Sequence, residues 1–356
     1  MNYDAFAPDL LGRLPEPPRK IALLRTSRIG DFLCAVPAMR ALRTRLPDAE
    51  ISMITLPLLV DLARRLSVLD RVWSFPGFPG LADQFFAAQR TVRFVQTLQR
   101  ERFDLAIQMQ GTGVYSNTFM LLLGARTTAG FVRPGDPPGL LDAALPYPHH
   151  LHEIECVLAL TSFLGAQPAG TRLEFPLTEI ERRQVQCLLD KWPAPWIGLH
   201  PSSRDPRRRW PLERYAELAG ELLTRHGGTL FLLGDAEAES SGQFLAQCLD
   251  ERCLDLVGKI SLTALGALIE RLDLLVTNDS GPAHIAYALN TPTVTLFNSE
   301  ASLRSNGPLQ PGPFRLLTPP SSSARSAGQN GCIQHIPVTQ VAQAAAELLC
   351  PQKVPE

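Results

Sequence analysis

Directly after the apolar run 274–277 comes Asn278-Asp279-Ser280-Gly281-Pro282-Ala283-His284, a set of residue types suited to holding an anion. Ser280 is a good N-cap and Pro282 suits a first helical turn, where a missing N–H costs nothing. Gly281 leaves no side chain between a ligand and the backbone. The free N–H groups and the positive end of the helix dipole then favour phosphate, with His284 as a further donor. The plainer reading is a well-capped helix with a half-buried histidine. A second cluster is Ser202-Ser203 with Arg204, Arg207, Arg208 and Arg209, four arginines within six residues. Guanidinium forks match phosphate oxygens, and the serine hydroxyls add donors. Read plainly, this is a solvated basic loop, but Trp210-Pro211 pins its far end. A third group is Arg28-Ile29-Gly30-Asp31, with a carboxylate that either does chemistry or caps a helix start. A fourth is Gln110-Gly111-Thr112-Gly113, which lacks the third glycine of a dinucleotide fingerprint and is weak ground for a nicotinamide site.

Each cluster follows a stretch that reads as a strand. Residues 20–25, 51–56, 104–109, 196–200, 229–233, 254–257, 274–277 and 293–297 are short apolar runs with the flanks of buried parallel strands. Between them, 32–46 (broken by Pro37), 58–66, 83–102, 152–164, 212–225, 261–270 and 338–349 read as helices. Residues 71–80 and 131–148 read as irregular, 165–178 as a linker and 318–331 as a mobile Pro/Ser/Gly-rich loop. Alternating strands and helices predict parallel α/β halves with ligands at the carboxyl ends of strands. Asp31, Gln110-Gly111 and Gly234-Asp235 all fall at such ends. His149, His150 and His152 cluster at a helix entrance without regular metal-ligand spacing, which favours a solvated patch over a metal site.

At 356 residues the chain is too long for one ordinary core. Its 34 Lys plus Arg nearly balance 35 Asp plus Glu, which argues against general nucleic-acid binding and makes the local clusters informative. The first eighteen residues do not read as a signal peptide, and no apolar run reaches membrane-span length. The seven cysteines, odd in number and without a Cys-x-x-Cys pair, are those expected of reduced thiols in a soluble intracellular protein. The stretch 90–102, with Arg90, Arg93, Arg100 and Arg102, reads first as a solvated face and second as a contact for anionic lipid.

Arg25-x-x-x-Ile29-Gly30-Asp31, His200-Pro201-x-Ser203 followed by Arg208-x-Trp210-Pro211, and Asn278-Asp279-Ser280-Gly281-Pro282-x-His284 occur in that order. Gly331-Cys332-Ile333, Ile336 and Val341 follow near the end. Together they resemble glycosyltransferase family 9, the heptosyltransferases of lipopolysaccharide core assembly and their relatives. The resemblance implies an α/β GT-B fold: two Rossmann-like domains with parallel sheets facing across an interdomain cleft. The acceptor would bind the N-terminal domain, 1–170, and the nucleotide-sugar the C-terminal one, 171–356, with helix 338–349 packing back on the N-terminal domain.

The chemistry so implied is inverting transfer of heptose, or a related sugar, from an ADP-sugar to a lipopolysaccharide-type or lipid-linked glycan. Asp31 takes the family's general-base position. Ser202, Ser203, Arg208, Gly234, Asp279, Ser280, Gly281, Pro282 and His284 fall to the donor; Arg28, Gly30, Gln110, Gly111 and Asn117 fall to the acceptor. No cofactor is implied beyond the donor substrate. No metal is expected either, since metal users commonly carry an Asp-x-Asp pair and this chain has none. The expected place of work is the cytoplasm, with peripheral contact at the inner face of the membrane.

Arg208 stands where the family usually carries lysine. Relatives that act on Kdo follow Gln-Gly with a lysine, whereas Thr112-Gly113-Val114-Tyr115-Ser116-Asn117 contains none, which points either to a neutral acceptor or to another group that binds an acidic one. Two alternatives remain. One is a protein heptosyltransferase of the autotransporter-modifying kind, against which stands a tail with only Cys332 and Cys350 to ligate iron. The other is a catalytically silent ADP-sugar binder, against which stands the presence of Asp31.

Overall fold

The structure, a computed structural model, describes residues 4–81, 84–249, 252–320 and 332–349. Chain contacts divide it into two units, Met1–Pro176 and Leu177–Glu356. Among the described residues, the first unit holds β1 (Lys20–Arg25), β2 (Glu50–Thr55), β3 (Arg71–Ser74), β4 (Leu105–Gln108), β5 (Thr127–Val132) and β6 (Ala143–Pro146). The second holds β7 (Trp196–His200), β8 (Thr229–Leu232), β9 (Cys253–Asp255), β10 (Leu274–Asn278), β11 (Thr293–Leu296) and β12 (Phe314–Leu317).

The orders are β3-β2-β1-β4-β5-β6 and β12-β11-β10-β7-β8-β9. Every neighbouring pair is parallel. Each unit is therefore the doubly wound, Rossmann-like arrangement expected from the sequence. In such a sheet the strand order reverses beside the first strand, opening a crevice at the carboxyl ends of two central strands. Here those strands are β1 and β4 in one unit, β7 and β10 in the other.

Central strands are buried along nearly their whole length, as helix-covered parallel strands require. The outer strands β3, β9 and β12 are only half-buried. Within the second unit, Leu199, Val276 and Val294 pack with Trp210, Tyr215 and the buried face of the closing helix Val338–Leu349. Val338, Val341, Ala342, Ala344 and Ala345 thus belong to the second unit's own core. No helix among the described residues is long and apolar enough to cross a membrane.

Several local expectations change. Residues 71–80 and 131–148, read as irregular, contain β3, part of β5 and β6. These are short strands interrupted by turns, and Gly130 in β5 leaves the space filled by the Gln108 side chain. Pro37 does not break its helix, which runs from Ile29 to Arg45 with Pro37 buried inside it. The helix expected from residue 83 begins at Ala88. Helix Glu179–Leu189 went unread, although Thr178 and Glu181 form a capping box at its start. Most of the loop read over 318–331 lies outside the described residues, as do Gly331 and Cys350.

Candidate active site

In the first unit, Asp31 sits in the first turn of helix Ile29–Arg45, just past β1. Arg28 is the N-cap residue and makes no side-chain cap bond; Gly30 is buried and Asp31 exposed. The backbone of this turn is held by Arg25, whose side chain is only 2% exposed. Nε and Nη2 of Arg25 donate to the Asp31 carbonyl at 3.2 and 2.8 Å, and Nη1 donates to the Met109 carbonyl beyond β4. One guanidinium thereby ties the ends of β1 and β4 together across the point where the strand order reverses. Its charge meets the Glu153 carboxylate at 2.6 Å, which also accepts from the Tyr147 hydroxyl at 3.1 Å.

A second clasp joins the same strand ends. The Gln110 Oε1 accepts from the Thr26 N–H, and its Nε2 donates to the Thr26 hydroxyl at 3.0 Å. Gln108 donates to Ser116 and accepts from Phe131 N–H, and Asn117 donates to the Phe131 carbonyl at 2.9 Å. The loop needs glycine at Gly113: φ is +78°, and a Cβ would fall 2.2 Å from both the Asn117 amide and the Phe131 carbonyl. Gly111, by contrast, faces open space. Of the residues expected to meet an acceptor, Gln110 and Asn117 therefore shape the loop, while Arg28 and Gly111 are exposed at its rim.

In the second unit His200 ends β7, 6% exposed. Its Nε2 lies 3.0 Å from Ser202 Oγ, and its Nδ1 lies 3.1 and 3.2 Å from the hydroxyls of Thr277 and Ser280. Burial pushes its pKa down to about 4, so the ring is neutral at physiological pH and acts as a connector among hydroxyls. Ser280 is the N-cap residue of helix Gly281–Leu289, yet its hydroxyl turns to Thr277, His200 and the Asn278 carbonyl instead of capping. With no side-chain cap at its start, this helix presents N–H groups and the positive dipole end beyond β10. Pro282 and His284 are buried in its first turns. A Cβ on Gly234, past β8, would stand 3.5 Å from the Ser202 hydroxyl, so this glycine also borders the site.

Arg208 ends the short turn Pro206–Arg208 and donates from Nη1 to Asp279 Oδ2 at 2.9 Å. Ser302 donates to the same oxygen at 2.6 Å. Asp279, expected among the donor contacts, is 3% exposed and spends its charge on holding Arg208. The other arginines differ: Arg207 pairs with Asp205, and Arg209 donates to the Ser203 carbonyl. Asn278 fastens the whole loop. Its amide donates to the Pro201 carbonyl at 2.7 Å, while its oxygen accepts from Trp210 N–H and the Tyr215 hydroxyl, each at 3.2 Å.

Sequence reading named neither Glu153, Tyr147 nor Ser302 as part of these clusters. The signal for Glu153 was nevertheless present, because His152 and Glu155 form a capping box that fixes the start of helix Glu153–Phe163. His152 is thus a buried helix cap, and His149 and His150 are exposed. No group of three or more His, Cys, Asp or Glu placed to hold a metal occurs among the described residues.

Residues 91–312 match the sequence profile of glycosyltransferase family 9 (heptosyltransferase). The chain belongs to glycosyltransferase family 9. Among curated members, lipopolysaccharide heptosyltransferase 2 of Escherichia coli (strain K12) is 35% identical over 78% of this chain and 82% of that protein. Two solved structures superpose closely. The family 9 glycosyl transferase from Veillonella parvula DSM 2008 has a TM-score of 0.79 at 21% identity, covering 93% of this chain and 97% of that one. The E. coli ADP-heptose LPS heptosyltransferase II has a TM-score of 0.76 at 23% identity, covering 93% and 98%. The family 9 chain described here is a GT-B glycosyltransferase related to the ADP-heptose lipopolysaccharide heptosyltransferases.

Proposed function

We propose that this family 9 member is an inverting, metal-independent enzyme that moves heptose, or a related sugar, from an ADP-sugar to a neutral glycan of the lipopolysaccharide-core type. The observation that carries the donor assignment is the convergence of Ser202, Arg208 and the start of helix Gly281–Leu289 at the ends of β7 and β10. These groups suit a diphosphate. Likeness to the E. coli ADP-heptose LPS heptosyltransferase II supports adenosine as the nucleoside and heptose as the sugar.

In the proposed step Asp31 accepts the proton of an acceptor hydroxyl as that oxygen bonds to the anomeric carbon. The bond from the anomeric carbon to the β-phosphate oxygen breaks, and its electron pair leaves with ADP. The charge that develops there calls for fixed positive partners, which Arg208 and the helix start can supply without a metal ion. Work at the cytoplasmic face of the inner membrane belongs to the same proposal, supported by the exposed Arg93 and Arg100 and the exposed Phe85.

Titration calorimetry with ADP, ADP-heptose, UDP-sugars and GDP-sugars, repeated in chelator, tests the proposal. ADP-linked ligands should bind, and binding should survive chelation. Preference for UDP or GDP, or a strict need for a divalent ion, would overturn the donor assignment.

A further inference from the structure

The surroundings of Arg25 bear on the chemistry of Asp31 itself, given the reading of Asp31 as the general base. A guanidinium 2% exposed is costly to bury unless its donors and its charge are answered. Here the Asp31 and Met109 carbonyls take the donors, and Glu153 answers the charge. Burial works against the charged form, but Glu153 and then Asp31 outweigh it, so the Arg25 pKa is raised.

The ionisable groups around this spot come from several elements. Arg25 ends β1, while Arg28, Asp31 and Cys34 lie on or beside helix Ile29–Arg45. Glu153, Glu155 and Cys156 lie on helix Glu153–Phe163, which packs against helix Ile29–Arg45, and Tyr147 precedes it. Glu155 is engaged by the His152 N–H in the helix cap. Burial first, and Glu153 second, raise both the Tyr147 hydroxyl and the Cys156 thiol, the latter to about 11, so both stay neutral at physiological pH. The cluster thus centres on one buried cation that is hydrogen-bonded to the Glu153 carboxylate and to the Asp31 backbone carbonyl, while the exposed Asp31 carboxylate feels its charge.

We propose that Glu153 is a positioning residue that sets the basicity of Asp31 by taking up part of the Arg25 charge, while Arg25 fixes the turn that carries Asp31. With Glu153 in place, the guanidinium field at Asp31 is partly cancelled and the carboxylate keeps more proton affinity. Without that negative charge, Asp31 faces an unanswered cation and becomes a weaker base.

The test is a carbon-13 NMR titration of the full-length protein labelled at aspartate carboxyls, with the Asp31 signal assigned by its loss in Asp31→Asn. Glu153→Gln should lower the Asp31 pKa by about one unit, the lower end of the effect of a nearby opposite charge. Tyr147→Phe, which leaves every charge in place, should titrate like the wild type. An unmoved Asp31 in Glu153→Gln, or an equal shift in Tyr147→Phe, overturns the proposal. If Glu153→Gln does not fold, Glu153→Asp serves instead. Its carboxylate stands back by one methylene and should move Asp31 in the same direction, and no movement overturns the proposal.

The titration reads Asp31 whether or not it is the base. Turnover is followed as ADP release from ADP-heptose with a heptose-deficient lipopolysaccharide core as acceptor. Loss of turnover in Asp31→Asn without a shift in Glu153→Gln removes this inference alone. A shift alongside intact turnover in Asp31→Asn removes the base assignment alone.

Discussion

Arg208 and Asp279 are joined by a 2.9 Å bond in which the carboxylate is 3% exposed and the guanidinium side chain 36% exposed. The buried partner anchors and the outer partner reaches, so Asp279 aims Arg208 and leaves its other donors for a ligand. Truncation in Arg208→Ala should weaken ADP binding by at least about tenfold, the scale of one charge-assisted hydrogen bond. Arg208→Lys should recover part of this, because it restores charge without the planar fork. Calorimetry on the three proteins checks the order.

Asp31→Asn should separate binding from turnover. General-base removal typically costs about 10²–10⁴-fold in rate. ADP affinity, set in the other unit, should stay at the wild-type value. A variant that loses neither would leave Asp31 as a helix-start carboxylate only.

His200 makes stability depend on pH. Its pKa falls from 6.5 to about 4 on folding, so between those values the unfolded chain binds more protons than the folded one. The stabilisation is fully present above pH 6.5 and is lost as pH falls toward 4. The shift corresponds to about 3 kcal/mol. Urea midpoints measured from pH 7 to pH 4 should drop for the wild type and less for His200→Gln.

Asn278→Ala should be among the most damaging single changes in the second unit. It strands the Pro201 carbonyl and the Trp210 N–H and leaves the Tyr215 hydroxyl only its 3.3 Å bond to the His200 carbonyl, in a place where Asn278 itself has no exposure. A loss of about 3 kcal/mol is expected for two unsatisfied buried groups. Chemical denaturation gives the figure directly, and a loss under about 1 kcal/mol would mean the loop re-pairs its groups.

What was legible in the sequence follows the physics of each element. β7 and β10 were read almost to the residue, because strands covered on both faces must be continuous apolar runs. The helix start after β10 was equally plain from Ser280, Gly281 and Pro282, but the Ser280 hydroxyl, read as its cap, turns to Thr277, His200 and the Asn278 carbonyl instead. The strands β3, β6 and β12 are four residues long, with at least half their positions not fully buried, so their apolar pattern is too weak to see without the neighbour that pairs them. Arg25 looked like the polar end of a strand. Its burial depends on Met109 and Glu153, 84 and 128 residues away, and no local pattern carries such a contact. The pairing of Asp279 was hidden for the same reason, since Ser302 and Arg208 bond it from either side along the chain.

The two sheets also govern the order in which the protein is made. In each half the first strand to be synthesised takes a central place and waits for a late partner: Ile21 of β1 pairs beside Leu105 of β4, and Ile197 of β7 beside Leu274 of β10. Neither half can form its core from an early fragment, and each closes over a long stretch of chain, which slows folding. Yet every ladder of the first sheet is complete by Pro146, before Trp196 opens the second. A nascent chain can thus finish its first unit without exposing an unpaired central edge to the second. Among the described residues the last strand, β12, takes an outer edge of a sheet whose middle already stands, and the helix Val338–Leu349 that follows it closes the second unit's core.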